Sequence, residues 1–218
     1  MTLSDFEYFC FSVFYCRKAE VIEALKSLEL VWTNKSFTYI DIQPFSLNDC
    51  NWYPLSYDPV VLKICLFETK DLRTVMISNI QEGAHSLFWN LATGLKVEAI
   101  AIRTSSKTTG DDIMNDLMYL NNGEEQRYVR TMTDPSWEFF EKGKPLWFED
   151  VSLYSKRYKK DRMNRRIIVN YCLKLGLEVD SPDFWKATEA TMIEIKTCKQ
   201  NVSPKGNGHL PPGIYEIL

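Results

Sequence analysis

Asn121-Asn122-Gly123 lies between two stretches of strand character, residues 117–120 and 124–132, and no other local feature restricts the fold as much. Asn and Gly tolerate the positive φ of a tight primed turn, so this connection commits both flanks to one antiparallel ladder. Residues 137–140 (Trp-Glu-Phe-Phe) then read as a third antiparallel strand, before Gly143-Lys144-Pro145 breaks the meander. The middle of the chain is therefore expected to be sheet.

The flanking segments supply helices and more strands. Residues 9–15 are aromatic and β-branched, which suits a buried strand. In 18–30, Val21, Ile22, Leu25 and Leu28 share one helical face, and 37–42 alternates with period two. The turn-forming, aromatic stretch 48–57 reads as an ordered loop, and 60–67 pairs with 73–77 across a short turn. A second helix is expected over 82–94, with Gly94 near its end, and then a strand over 97–102. A third helix is expected over 161–176, with Asn164 as N-cap and Gly176 just past the C-terminus, and a short strand over 192–195. These segments predict a single α+β domain over 1–198, a mixed and mostly antiparallel sheet with two or three packed helices. An irregular Gly/Pro-rich tail is expected over 199–218.

The chemistry is narrowed by what the residues lack. The chain has 26 Lys and Arg against 29 Asp and Glu, a net charge of −3, which gives no overall reason for a nucleic-acid or membrane partner. Asp5 and Glu7 near the start, and no long apolar run, predict an unexported cytoplasmic protein without a membrane span. Cys10, Cys16, Cys50, Cys65, Cys172 and Cys198 are scattered, which fits reduced core thiols better than a disulfide framework. Of the two histidines, His85 sits among Ala84, Leu87 and Phe88 and His209 in the tail, and neither reads as a base. No Cys-x-x-Cys, His-Glu-x-x-His, Gly-x-Ser-x-Gly or phosphate-loop pattern is present. No metal, cofactor or catalytic residue is assigned, and a non-enzymatic protein is expected.

Two charge clusters remain. Asp111, Asp112 and Asp116 precede or begin one hairpin strand and Glu124 and Glu125 follow the turn, so the five are expected to converge at one end of the hairpin. They form either a solvated turn or an acidic surface for a basic protein partner, with Trp52 and Tyr53 as anchors. The opposite cluster is Lys156, Arg157, Lys159, Lys160, Arg162, Arg165 and Arg166, with Tyr154 and Tyr158 interleaved. It reads as a phosphate-gripping patch, an internal ion-pair network or a solvated face.

Residues 137–150 (WEFFEKGKPLWFED), then Tyr154, Lys156, Arg157, Asp161-Arg162, a helix ending at Leu175-Gly176 and Asp183-Phe184-Trp185 carry one resemblance. The stretch resembles the C-terminal half of a loose group of small, largely uncharacterised bacterial cytoplasmic α+β proteins suspected to be toxin-immunity partners. The pattern there is a strand, a Gly-x-Pro-Leu-x-Phe-Glu turn, a basic Tyr-x-x-Arg segment, an Asp-Arg and a helix ending in Leu-Gly. The resemblance implies a protein that neutralises a toxin domain by direct binding. The alternative expectation is a nucleic-acid-binding accessory protein that uses the basic segment.

Overall fold

The computed structural model describes residues 1–50, 61–110 and 113–197. In chain order the strands are β1 (Tyr8–Phe14), β2 (Lys35–Ile42), β3 (Phe45–Ser46), β4 (Val61–Glu68), β5 (Thr74–Ser78), β6 (Ala99–Ser105), β7 (Met114–Asn121), β8 (Glu124–Thr133), β9 (Trp137–Gly143), β10 (Lys186–Ala187) and β11 (Ala190–Thr197). The helices are α1 (Lys18–Val31), α2 (His85–Leu95) and α3 (Arg165–Lys174). Nine strands form one sheet in the order β2-β11-β4-β5-β1-β6-β7-β8-β9, and β3 and β10 pair separately.

The chain is thus an α+β domain built on a large sheet with three helices. Every strand pairing among the described residues is antiparallel, in keeping with the expected mostly antiparallel sheet. The opening strand-helix-strand makes no βαβ unit, because β1 and β2 lie four places apart in the sheet. The Asn-Gly connection forms as expected, with Asn122 at φ 53° and Gly123 at φ 78°. This turn packs on α2, where Thr93 donates its hydroxyl to the Gly123 carbonyl at 3.2 Å.

Strand alternation sends side chains to two cores, one on each face of the sheet. On one face Val21 and Leu25 of α1 and Leu87, Phe88, Leu91 and Ala92 of α2 cover Phe14, Leu66, Met76, Ala99 and Ala101. On the other, Ile167, Ile168, Tyr171 and Cys172 of α3 cover Val13, Ile102, Leu117 and Val129. Trp185 completes that second core, fully buried, edge-on to Phe9 and Phe11 at 5.1 and 5.5 Å, with its indole N–H donating to the Val179 carbonyl at 2.7 Å. Each such fully buried large apolar side chain contributes roughly 1.5–3 kcal/mol.

Helix ends differ from expectation where capping decides them. The Asn164 side chain accepts from the Ile167 N–H at 3.2 Å, so α3 starts at Arg165 and the preceding residues form a separate 3-10 turn over Lys159–Asp161. Gly176, at φ 74°, ends α3 as predicted. In α2 the left-handed C-terminal position is Lys96 at φ 54°, and Gly94 lies inside the helix. Cys10, Cys16, Cys50, Cys65 and Cys172 are free thiols, and Cys16 falls beyond the end of β1. No helix among the described residues is long and apolar enough to cross a membrane. The anticipated 48–57 loop beyond residue 50 and the 199–218 tail lie outside the described residues.

Candidate functional site

The basic segment is held in place by a buried clamp at the end of β9. Gly143 has φ 88°, and a Cβ there would come within 1.9 Å of the Gln126 carbonyl oxygen, so only glycine lets the chain leave the strand here. Glu149 folds back to accept from the Leu146 N–H at 2.8 Å and from Arg127 Nε and Nη2 at 3.0 and 2.8 Å. Arg127 also donates to the Gly143 carbonyl at 2.8 Å and to Glu141 at 2.6 Å, and Tyr154 donates its hydroxyl to Glu149 at 2.6 Å. The Arg127 and Glu149 side chains are each 1% exposed. Burial raises the Tyr154 hydroxyl pKa, and its bonds to Glu149 and Tyr171 raise it further, so it remains a protonated donor.

Downstream of this clamp the cations stand on the surface. Lys156, Arg157, Lys159, Lys160 and Arg166 are exposed, and Arg162 is half-buried, bonding the Lys156 carbonyl at 2.8 Å and lying over the Phe139 ring at 5.3 Å. Arg165 reaches under the N-terminus and bonds only neutral oxygens: the carbonyls of Leu3, Phe6, Glu7 and Thr104, and the Thr104 hydroxyl. No carboxylate among the described residues pairs with any of the seven. An internal ion-pair network is therefore not what this segment forms there. Large apolar side chains of the same stretch of chain are exposed as well, Trp147 at 76% together with Val151, Tyr158 and Leu173.

A cleft of about 490 Å³ opens where α3 begins, between the end of β6 and the start of β7. Lys160, Arg165 and Arg166 line it together with Asn115, Trp137, Asp161 and Asp180. It gathers hydrogen-bond donors and positive charge, the properties that hold an anion.

The acidic set fares differently. Asp116 is fully buried, accepting from Arg103 Nε at 2.8 Å and from the Tyr128 hydroxyl at 3.1 Å, so it is removed from the docking surface. Glu124 is exposed, while Glu125 is mostly covered and pairs with Lys142 at 2.8 Å. Glu124 faces Asn121 in the ladder, five positions along β7 from Asp116, which separates the two ends by about 17 Å. Asp116 and the two glutamates do not converge. Asp111, Asp112, Trp52 and Tyr53 lie outside the described residues.

The pair of Arg103 and Asp116 makes a second buried polar cluster, with Tyr8, Cys10, His85 and Tyr128 around it. Burial, and then the negative charge of Asp116, push Tyr128 up to about 12. Burial raises the Cys10 thiol well above its ordinary value, and burial plus the Arg103 charge lower His85 to about 4. A thiol held protonated beside a neutral imidazole is the reverse of an activated nucleophile. Among the described residues no three His, Cys, Asp or Glu side chains are placed to hold a metal ion.

Sequence reasoning missed the Arg127–Glu149 clamp, whose partners are 22 positions apart and belong to no short pattern. The burial of Asp116 had a signal in Arg103, a cation within an apolar alternating strand that must find a counter-charge. No protein-family model, no curated protein and no solved structure matches this chain.

Proposed function

We propose that this chain is a non-enzymatic protein-binding module that docks an acidic partner through the face built by residues 145–174, and that it acts as an immunity protein against a toxin. One observation carries the reading. Five exposed cations, Lys156, Arg157, Lys159, Lys160 and Arg166, stand without a carboxylate partner among the described residues, in a stretch that also exposes Trp147, Val151, Tyr158 and Leu173. Arg, Trp and Tyr are the side chains that dominate protein interfaces, where an apolar anchor is ringed by charge that sets register. The immunity role rests on the resemblance over residues 137–185, the stretch that forms this face.

Nucleic acid fits the same cations less well. Outside the segment there are 19 Lys and Arg against 28 Asp and Glu, because the chain holds 26 and 29 in all and the segment holds seven and one. A phosphate backbone long enough to span the face would meet that negative field on leaving it.

The test is co-expression. The product of the neighbouring gene should arrest growth alone and not when this chain is present, and the purified pair should survive nuclease treatment. Reversing Lys156, Arg157 and Lys159 to Glu should weaken the complex at least tenfold without unfolding the protein. Unchanged affinity in that variant, or bound material that disappears with nuclease, would overturn the proposal.

A further inference from the structure

We infer that the cleft at the start of α3 is a carboxylate-binding pocket that takes an Asp or Glu side chain of the docked protein. The chemistry stands on the pocket itself; only the source of the carboxylate rests on the function proposed above.

Two kinds of donor converge there. The first two amide N–H groups of the ten-residue α3, those of Arg165 and Arg166, have no acceptor among the described residues, since the Asn164 cap is spent on Ile167. Asn115 lines the cleft and is only 2% exposed. Its Oδ1 accepts from the Thr104 hydroxyl at 3.0 Å and the Ser105 N–H at 3.1 Å, which leaves its amide NH2 with no acceptor among the described residues. The two bonds to Oδ1 fix the orientation of this amide, so an entering acceptor meets a donor already held in place.

The charge of the pocket selects the acceptor. Arg165 is bonded to neutral oxygens alone, so its charge is not cancelled by direct contact, and Lys160 and Arg166 add mobile cations at the rim. Lys107, also in the lining, is taken by Glu7 at 2.8 Å, and Asp161 and Asp180 share the cleft. Three cations against two carboxylates leave a surplus of one positive charge, which a carboxylate neutralises and a phosphate dianion exceeds. The volume of about 490 Å³ admits an acidic side chain with part of its backbone.

The experiment uses the full chain labelled with 15N. Sodium acetate, sodium phosphate and sodium chloride are titrated separately at equal ionic strength, following the Arg165 and Arg166 amides and the Asn115 side-chain NH2. Acetate should give saturable shifts at these groups that chloride does not reproduce, and phosphate should bind no more than a few-fold tighter. Asn115→Asp should weaken acetate binding at least tenfold. Arg166→Ala, at an exposed position that cannot unfold the protein, should weaken it about threefold. Linear, chloride-like responses, or no effect of either variant, would overturn the pocket, and phosphate binding more than tenfold tighter would overturn its assignment to carboxylates. Lys159 and Arg157 do not line the cleft. If reversing them abolishes partner binding while acetate gives no site, the pocket fails and the docking face stands. If acetate binds and reversal leaves the partner bound, the pocket stands and the docking face fails.

Discussion

Replacing Glu149 with Ala should be among the most costly substitutions in the protein. The Arg127 and Glu149 side chains are both 1% exposed, and Glu149 also accepts from the Leu146 N–H and the Tyr154 hydroxyl. Removing one member of a buried ion pair typically costs about 3–5 kcal/mol, because the remaining charge stays buried without its counterpart. Here Glu141, bonded to the same guanidinium at 2.6 Å, offsets part of the loss, but its side chain is 42% exposed and it cannot serve Leu146 or Tyr154. The expected loss is therefore about 3 kcal/mol, a large part of the roughly 5–15 kcal/mol that holds a domain folded. Glu149→Gln keeps the shape and one acceptor and should lose about half as much, whereas Glu141→Gln should cost no more than about 1 kcal/mol. Urea unfolding followed by tryptophan fluorescence reads these differences as shifts in midpoint at constant slope. The double variant Arg127→Met with Glu149→Leu should recover only the part of the loss that the unpaired Arg127 charge causes, since the Leu146 N–H and the Tyr154 hydroxyl still lack their Glu149 acceptor. A Glu149→Ala loss under about 1 kcal/mol, or equal losses at Glu141 and Glu149, would refute the clamp as the element that fixes the end of β9.

Gly143→Ala forces a side chain into φ 88° against the Gln126 carbonyl and should cost at least about 2 kcal/mol, a fall in Tm of about 4–8 °C. Gly94→Ala, inside α2 with open space around it, should instead gain about 0.5–1 kcal/mol; a loss there would mean the helix interior is not as open as described. His85 titrates at about 4 in the folded protein against its ordinary 6.5, so between those pH values the unfolded chain binds more protons and stability rises with pH. Acidifying from pH 7 to 4 should remove up to roughly 3 kcal/mol that a His85→Gln variant retains, and a pH-independent difference between the two would refute it.

Much of the fold was legible because it is written locally. The Asn122-Gly123 turn, the Asn164 cap and the Gly176 terminus are each short-range solutions to a backbone problem, and each formed where its residues stood. What was not legible depends on partners distant in sequence. Asp116 looked like part of an acidic run, but Arg103 sits beside it across the ladder and takes it into the interior. The turn that follows β9 also acquires a physical meaning. Gly143 permits the exit from β9, Phe148 fills the core and Glu149 locks Arg127, so these residues hold the segment that follows the strand. The basic segment was visible as charge; its lack of carboxylate partners among the described residues was not, since pairing is settled only in space.

The position of β11 sets the order in which the molecule is completed. Residues 190–197 lie between β2 and β4, pairing with residues 35–42 on one side and 61–67 on the other. During synthesis β2 finds no ladder partner among the described residues until β11 has emerged, whereas β6 to β9 can already zip together from neighbouring turns. Sheet closure is then a late, long-range event of the kind that slows folding, and a chain stopped short of residue 190 would expose an unpaired edge on β4 that invites other molecules to fill the gap.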